Sequence, residues 1–360
     1  MKQEEKALKI KDEILRQDME EIAGDKELAD RLKNSAVFIT GATGLLGSQA
    51  VLALACMNRM QNSKIRIIAM ARSEEKVKKV FGGLIDERDL TVYYGDINEP
   101  ITYAGNVDYI IHGASATSSK YFVTHPAETI KTALKGTEHI LEFAREKKIK
   151  SMVYLSSLEV YGTPDKEKQK ISETDYGYLD PMQIRSSYSE GKRMAECMCT
   201  AYAGEYGVPV KTARLSQTFG AGVDYQDSRV FAEFARCAAE QKDIVLHTQG
   251  NTVRSYCYTK DAIQGIFCIL LKGQAGEAYN LTNMNTAVSI REMAELVCSL
   301  YPDNDIQVKV EIPEDAASFG YNPEMVIRLD ASKLQSLGWK PTVGLREMFE
   351  RMIKSGFEKV

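Results

Sequence analysis

The stretch Thr40-Gly41-Ala42-Thr43-Gly44-Leu45-Leu46-Gly47 constrains this chain more than any other. The apolar run Ala36-Val37-Phe38-Ile39 precedes it and Ser48-Gln49-Ala50-Val51-Leu52-Ala53-Leu54 follows it, so it reads as strand, glycine turn and helix N-terminus. Such a turn forms a pyrophosphate cradle. Gly41 permits the turn, Gly44 lets backbone approach phosphate, and Gly47 lets the helix pack against the strand. The spacing is G-x-x-G-x-x-G rather than G-x-G-x-x-G, and a glycine triplet alone is weak evidence. With strand and helix in place, dinucleotide binding is the favoured reading.

From Ala36 onward, strand-like runs alternate with helical periodicity. Strands are expected at 37–40, 65–71, 91–94, 109–112, 152–156 and 210–215, with long helices at 127–147 and 189–206. This alternation predicts an α/β fold, a Rossmann-type doubly wound parallel sheet with right-handed crossovers and the phosphate turn after its first strand. Beyond residue 215 the alternation weakens, and Gly220-Ala221-Gly222, Gly250-Asn251 and Pro302-Asp303-Asn304-Asp305 punctuate shorter elements. A smaller mixed C-terminal lobe is expected there. The division expected is a helical extension over 1–34, a dinucleotide-binding domain over 35–215 to which 254–285 returns, and a substrate-binding lobe from 216–253 and 286–360. The extension carries an apolar stripe of Leu8, Ile10, Ile14, Leu15, Met19 and Ile22, and Gly24-Asp25 breaks it into two short helices, expected to dock on the chain's own body rather than on a partner.

At 360 residues the chain can bury a large core, and 44% hydrophobic with 27% charged residues fits a soluble globular protein. A net charge of −4 gives no footing for nucleic acid, so an anionic ligand must be met by local arginines or helix N-termini. The seven cysteines form no C-x-x-C pair and no His stands near them at zinc spacing. Most lie in apolar stretches and read as buried free thiols in a reducing cytoplasm, and no metal site is expected. The charged start Met1-Lys2-Gln3-Glu4-Glu5-Lys6 is no signal peptide, and no apolar run approaches the roughly 20 residues that span a bilayer. A cytoplasmic protein without membrane contact is expected.

Tyr188-Ser189-Glu190-Gly191-Lys192 sets Tyr188 and Lys192 four apart on one helical face. An ammonium beside a phenol favours the phenolate, as does the positive charge of an oxidised nicotinamide. Such a tyrosine can take a hydroxyl proton while hydride leaves the same carbon. The spacing alone fits an amphipathic surface helix equally well. It gains weight from Tyr154-Leu155-Ser156-Ser157-Leu158-Glu159-Val160-Tyr161-Gly162, where a strand ends in two serines. In a parallel sheet that end opens onto the cofactor crevice, and a hydroxyl there can share a hydrogen bond with the reacting oxygen; the serines could also simply close a strand.

In this order the three features resemble the extended short-chain dehydrogenase/reductase family of nucleotide-sugar epimerases, dehydratases and decarboxylases, over nearly the whole chain from residue 35. Further matches are Tyr94-Gly95-Asp96-Ile97, where the family's aspartate meets adenine, and His112-Gly113-Ala114-Ser115-Ala116, its small-residue wall along the cofactor. Arg214-Leu215-Ser216-Gln217-Thr218-Phe219-Gly220 resembles its R-x-x-N-x-x-G segment, and Arg254 through Asp261 its R-x-x-x-x-x-x-D segment. Tyr279-Asn280, Arg328-Leu329-Asp330 and Leu337-Gly338-Trp339-Lys340-Pro341 resemble its C-terminal landmarks. The resemblance implies Tyr188 as base, Lys192 as its tuner and Ser157 as hydroxyl partner. It implies cofactor contacts from Gly41, Thr43, Gly44, Leu45, Leu46, Gly47, Asp96, Ile97, Ala114, Ser115 and Ala116, besides Tyr188 and Lys192. Arg254 is implied as phosphate clamp with Arg229 and Arg328 as candidates, and Gln217 stands where an asparagine usually faces the diphosphate. A homodimer built from the 127–147 and 189–206 helices is implied too.

Family members open by oxidising the sugar's C4 with a retained nicotinamide. The 4,6-dehydratases show an aspartate where this chain has Leu158, and 4-epimerases usually lack a carboxylate at Glu159. Ser157-Leu158-Glu159-Val160-Tyr161-Gly162 and Tyr188-Ser189-Glu190-Gly191-Lys192-Arg193 are most similar to UDP-glucuronate decarboxylases. The resemblance therefore implies a lyase that decarboxylates a nucleotide-linked uronic acid, Glu159 positioning or shuttling a proton at C5, or else merely bonding the loop backbone. An epimerase, an NADPH-consuming reductase and a dinucleotide-sensing scaffold are the alternatives. The second strand ends Met70-Ala71-Arg72-Ser73 with no acid for the ribose hydroxyls. Arg72 and Ser73 could take a 2′-phosphate and lean to NADP, whereas the family's habit leans to NAD.

Overall fold

The computed structural model describes residues 8–82, 90–165, 167–301, 305–313 and 324–357. Pro302, Asp303 and Asn304 of the expected turn, and residues 1–7 of the expected extension, lie outside them. The seven strands of the main sheet are β1 (Ala36–Thr40), β2 (Arg66–Ala71), β3 (Leu90–Tyr94), β4 (Tyr109–His112), β5 (Ser151–Ser157), β6 (Val210–Leu215) and, later, β10 (Ala278–Leu281). They stand in the order β10-β6-β5-β4-β1-β2-β3, and every neighbouring pair is parallel. This is the Rossmann-type doubly wound sheet. All five residues of β1 are buried, as strands covered on both faces must be, which is why they read as unbroken apolar runs.

Alternate residues feed two separate cores. Val37, Ile39, Ile67 and Ala69 face α1 (Glu13–Ala23), α2 (Lys26–Leu32), α3 (Leu45–Gln61) and α9 (Thr259–Lys272), through Met19, Leu32, Val51, Leu54 and Phe267. Phe38, Ile68, Met70 and Ile110 face α6 (Pro126–Lys147) and α7 (Ser186–Tyr206), through Ile140, Phe143, Ala195 and Cys199. α4 (Glu74–Phe81) links β2 to β3, and α5 (Ser119–Thr124) leads into α6. The winding changes direction between β1 and β4, where Thr40 lies opposite His112. In open α/β sheets ligands bind outside the strand ends at this point.

Six strands lie within a residue or so of the runs expected. The seventh was not anticipated: Ala278-Tyr279-Asn280-Leu281 is too short and too polar to announce itself, and its pairing with β6 makes it a strand. Of the 254–285 stretch, α9 and β10 join the layers of the main sheet. β9 (Val253–Tyr258) instead centres a second sheet, with β7 (Gln217–Phe219) and β13 (Val326–Ile327) parallel to it and β11 (Asn283–Ser289) antiparallel. β8 (Ile244–Leu246) and β12 (Val308–Val310) form a separate parallel pair. α8 (Val230–Ala239), α10 (Ile290–Cys298) and α12 (Leu345–Gly356) close a core of Phe219, Phe231, Tyr256, Met293, Phe349 and Met352. The short α11 (Ser332–Gln335) packs beside β10.

Near the start of the chain, Asp12 and Asp25 cap α1 and α2 by accepting from the amides of Leu15 and Leu28, both at 3.0 Å. Met19, Ile22 and Leu32 are fully buried against the body. Asp18 is buried with them. It accepts a hydrogen bond from the Tyr258 hydroxyl at 2.5 Å and pairs with Arg351 of α12 at 2.8 Å. Lys260 pairs with Glu21 at 2.6 Å. All seven cysteines are free thiols, but burial holds only for Cys56, Cys199 and Cys257; Cys237, Cys268 and Cys298 are partly exposed and Cys197 is exposed on α7.

Candidate active site

The glycine turn is tighter than its spacing alone discloses. Gly41 has φ +66°, and a Cβ there would stand 2.7 Å from both the carbonyl carbon and oxygen of Gly113 at the end of β4. Gly41 thus serves the turn and a backbone-to-backbone approach across the switch point. A Cβ on Gly47 would fall 2.2 Å from the Gly41 carbonyl oxygen, which fits the helix-packing role expected of it. Gly44 opens α3 with no side-chain cap, and the first turn of α3 carries no acid. Its amides and the helix dipole are left for an anion, which fits a cofactor pyrophosphate. Thr43, Leu45 and Leu46 line this turn, partly exposed.

The Thr40 hydroxyl bonds His112 Nδ1 at 2.7 Å and accepts from the Ala114 amide at 3.1 Å, tying the Ala114-Ser115-Ala116 wall to β1. Burial, helped by the charge of Lys192, pulls the His112 imidazole down to about 3, so it stays neutral. At the ends of β2 and β3, Arg72 is largely exposed with Nη1 3.9 Å from Asp96. Asp96 accepts from the amide and the side-chain amide of Asn98 at 2.9 and 3.0 Å. Ser73 caps α4 by accepting from the Lys76 amide at 3.1 Å. Ile97 is buried beside Gly136.

The chemistry-bearing residues meet where α7 crosses the end of β5. Helical spacing puts Arg185, Ser189, Lys192 and Glu196 along one stripe of α7, with Tyr188 beside it. The Ser157 hydroxyl caps the turn Leu158–Tyr161 by accepting from the Glu159 amide at 3.2 Å, and it stands close enough to the Tyr188 phenol to favour its ionised form. Lys192 is buried and donates to the Leu155 carbonyl at 2.8 Å, with Nζ 5.9 Å from the Tyr188 ring centre. Burial draws its ammonium down to about 8, against the opposing pull of Glu196. Burial and then the charge of Glu159 push the Tyr188 phenol above its usual range; Ser157, Arg185 and Arg229 oppose them. Lys192 stands beside the ring, yet the cations drawing the phenol down are the two arginines.

Glu159 bonds the side chains of α7 rather than the loop backbone. Its carboxylate pairs with Arg185 at 2.8 Å and accepts from the Ser189 hydroxyl at 3.1 Å. Leu158, which occupies the dehydratase acid's place in the motif, is buried with Val160, Tyr161, Ile171, Ile327 and Leu329. Arg185 and Phe122 escaped the sequence reading. The Phe122 ring stacks on Tyr188 with centres 4.1 Å apart, and the Arg185 guanidinium lies 4.9 Å from the same ring. Arg185 could have been found one helical turn before Tyr188; nothing local marks Phe122.

Behind this face lies a buried polar network. Ser156 donates to Glu196 at 2.5 Å, and Arg214 holds both oxygens of Glu196 with a shortest contact of 2.7 Å. Arg214 also donates to the hydroxyls of Tyr161 and Tyr176, and Tyr161 donates to Asn280 at 2.6 Å. The landmarks Arg214 and Asn280 thus clamp β5, β6 and β10 to α7.

On the other side of the crevice, Gln217 lies in β7 opposite Tyr256. Arg229 is gripped by Asp227 through three contacts of 2.6–3.1 Å. Arg254 has a buried Nε with no hydrogen-bond partner among the described residues, its Nη2 touching only the Met325 sulfur at 3.8 Å. A buried guanidinium N–H without an acceptor is costly, and a diphosphate oxygen is a suitable acceptor for it. Arg328 is exposed near Glu292.

Residues 37–282 match the NAD dependent epimerase/dehydratase family. UDP-glucuronic acid decarboxylase 6 of Arabidopsis thaliana is 31% identical over 321 residues, covering 87% of this chain and 86% of that protein. Among solved structures, an epimerase from Methanothermobacter thermautotrophicus is similar with TM-score 0.75 at 20% identity, covering 91% of this chain and 93% of the other. dTDP-glucose 4,6-dehydratase from Streptomyces venezuelae, solved with NAD bound, has TM-score 0.70 at 21% identity, covering 88% and 96%. At such identities the two structures speak for the fold alone; the family match and the plant relative carry the assignment. The chain belongs to the NAD-dependent epimerase/dehydratase family.

Proposed function

We propose that this enzyme modifies a nucleotide-linked sugar by transient oxidation at C4, and that the sugar is a uronic acid which it decarboxylates. The observation that carries the reading is the convergence of Ser157, Tyr188 and buried Lys192 at the end of β5, with Lys192 Nζ 5.9 Å from the Tyr188 ring centre. The nicotinamide cofactor, when bound, supplies hydride exchange at C4 and a positive charge near the phenol. Tyr188 takes the C4 hydroxyl proton and later returns it, while Ser157 hydrogen-bonds the same oxygen. A C4 ketone makes the C6 carboxylate a β-keto acid. The C5–C6 bond then breaks, its electron pair moves into the carbonyl, carbon dioxide leaves, and a proton returns to C5. Glu159, held by Arg185 and Ser189, positions that proton. Arg254 clamps the diphosphate, with Gln217 beside it.

The homodimer implied by resemblance is supported by apolar side chains left exposed on the two long helices, Ile130 and Met194. Among the described residues no helix is long and apolar enough to cross a membrane. Arg72, exposed and with no acid at the end of β2, favours a second reading, an NADPH-dependent sugar reductase. The test uses purified protein without added nicotinamide and UDP-glucuronate labelled at C6. Labelled carbon dioxide and a UDP-pentose are expected. Stoichiometric NADPH consumption with a neutral nucleotide sugar, and no carbon dioxide, would replace this reading with the reductase.

A further inference from the structure

We propose that Arg185 reads the substrate's carboxylate, so that its guanidinium separates nucleotide-linked sugar acids from neutral sugars; this rests on the uronate reading above. Other cations near the phenol or this part of its helix are committed elsewhere. Lys192 is buried and donates to the Leu155 carbonyl. Arg193 donates to the carbonyls of Val160 and Gly177 at 2.6 and 2.7 Å. Arg229 is held by both oxygens of Asp227. Arg214 is spent on Glu196 and the two tyrosines. Arg185 engages Glu159 through Nη2 alone, at 2.8 Å, which leaves Nε and Nη1 without acceptors among the described residues.

Its placement is rigid as well as open. Buried Phe122 carries the Tyr188 ring at 4.1 Å and the Arg185 guanidinium at 4.9 Å, so one aromatic plate sets the distance between base and cation. Arg185 stands immediately before the first residue of α7, with 22% of its side chain exposed, so a ligand can reach it. Glu159 keeps the cation in place in the empty site and shares it in the filled one. That sharing suits a carboxylate that must leave as carbon dioxide. An undivided bidentate clamp would stabilise the bound carboxylate more than the transition state, in which charge has moved to the ketone.

The test compares wild type, Arg185→Gln and Arg185→Lys, each with its co-purified cofactor, by calorimetric titration with UDP-glucuronate, UDP-glucose and UDP. Wild type is expected to prefer the uronate to the neutral sugar by about tenfold or more, the scale of a charge-assisted hydrogen bond. Arg185→Gln should abolish that preference with UDP and UDP-glucose bound as before, and Arg185→Lys should restore part of it. Retained preference in Arg185→Gln, or an equal loss for all three ligands, overturns the role of Arg185. Should wild type release carbon dioxide while either result holds, only this inference fails. A wild type that neither prefers the uronate nor releases carbon dioxide brings down the uronate reading and this inference with it.

Discussion

Replacing Glu196 with Gln should destabilise the protein far more than a surface charge change. Arg214 is 1% exposed and Glu196 7%, and their contacts of 3.1, 3.1 and 2.7 Å form a bidentate pair away from water. The amide keeps one acceptor oxygen, which can still serve Ser156, but it turns an NH2 toward the guanidinium's own donors and removes the counter-charge. Breaking one side of a buried pair costs about 3–5 kcal/mol. Equilibrium urea unfolding followed by circular dichroism measures the loss directly. The double variant Glu196→Gln with Arg214→Met should recover about half of it or more, because the charge left without a partner has gone. A single-variant loss below about 1 kcal/mol, or strictly additive effects in the double variant, would refute the view of this network as a closed ion pair.

Tyr188→Phe should lower turnover by about 10²–10⁴-fold, the usual contribution of a positioned acid–base group, while bound nicotinamide in the purified protein is unchanged. Gly41→Ala should yield protein without cofactor, read from its absorbance, because the new Cβ meets the Gly113 carbonyl at 2.7 Å in a backbone held at φ +66°. Burial draws Lys192 and Lys211 each down from 10.5 to about 8. Between those values the unfolded chain binds more protons, so stability from these two groups rises with pH from about 8 toward about 10. Lys211→Met should remove about half of that slope in urea titrations across the window. Asp18 runs the other way: burial raises it from 3.8 to about 6, so the folded chain binds the extra proton and stability from this group falls as pH climbs through that interval. Asp18→Asn should flatten the fall, on the order of 3 kcal/mol in all, when Tm or urea midpoints are compared at pH 4 and pH 7.

What could be read from the chain alone follows from how local each constraint is. The glycine turn was legible because one backbone conformation and two close approaches demand residues without Cβ within a few positions of one another. The main strands were legible because burial on both faces leaves apolar runs bounded by turns. Tyr188 and Lys192 were legible because helical spacing shows which residues share a face. Phe122 was not, since its stacking on Tyr188 depends on α5 folding back over α7, and no periodicity reports that. Leu158 looked like a substituted catalytic position, and its side chain is turned into an apolar cluster. Arg254 was favoured over Arg229 as the clamp by its motif alone; only packing distinguishes a guanidinium already gripped by Asp227 from one with a bare Nε. Glu196 carried no motif that names its partner. Its meaning lies in Arg214, on a strand that enters the sheet after the whole of α7.

The Asp18–Arg351 bond joins positions 333 residues apart, one on α1 and the other on α12. Every strand of the main sheet precedes Arg351 in the chain, so all of them are made before Asp18 can meet that guanidinium. Until then the carboxyl has the Tyr258 hydroxyl and the charge of Lys260 for company, without a paired guanidinium. Protein clipped ahead of α12 should leave α1 and α2 loose and open to protease, because the guanidinium that fastens Asp18 has gone with it.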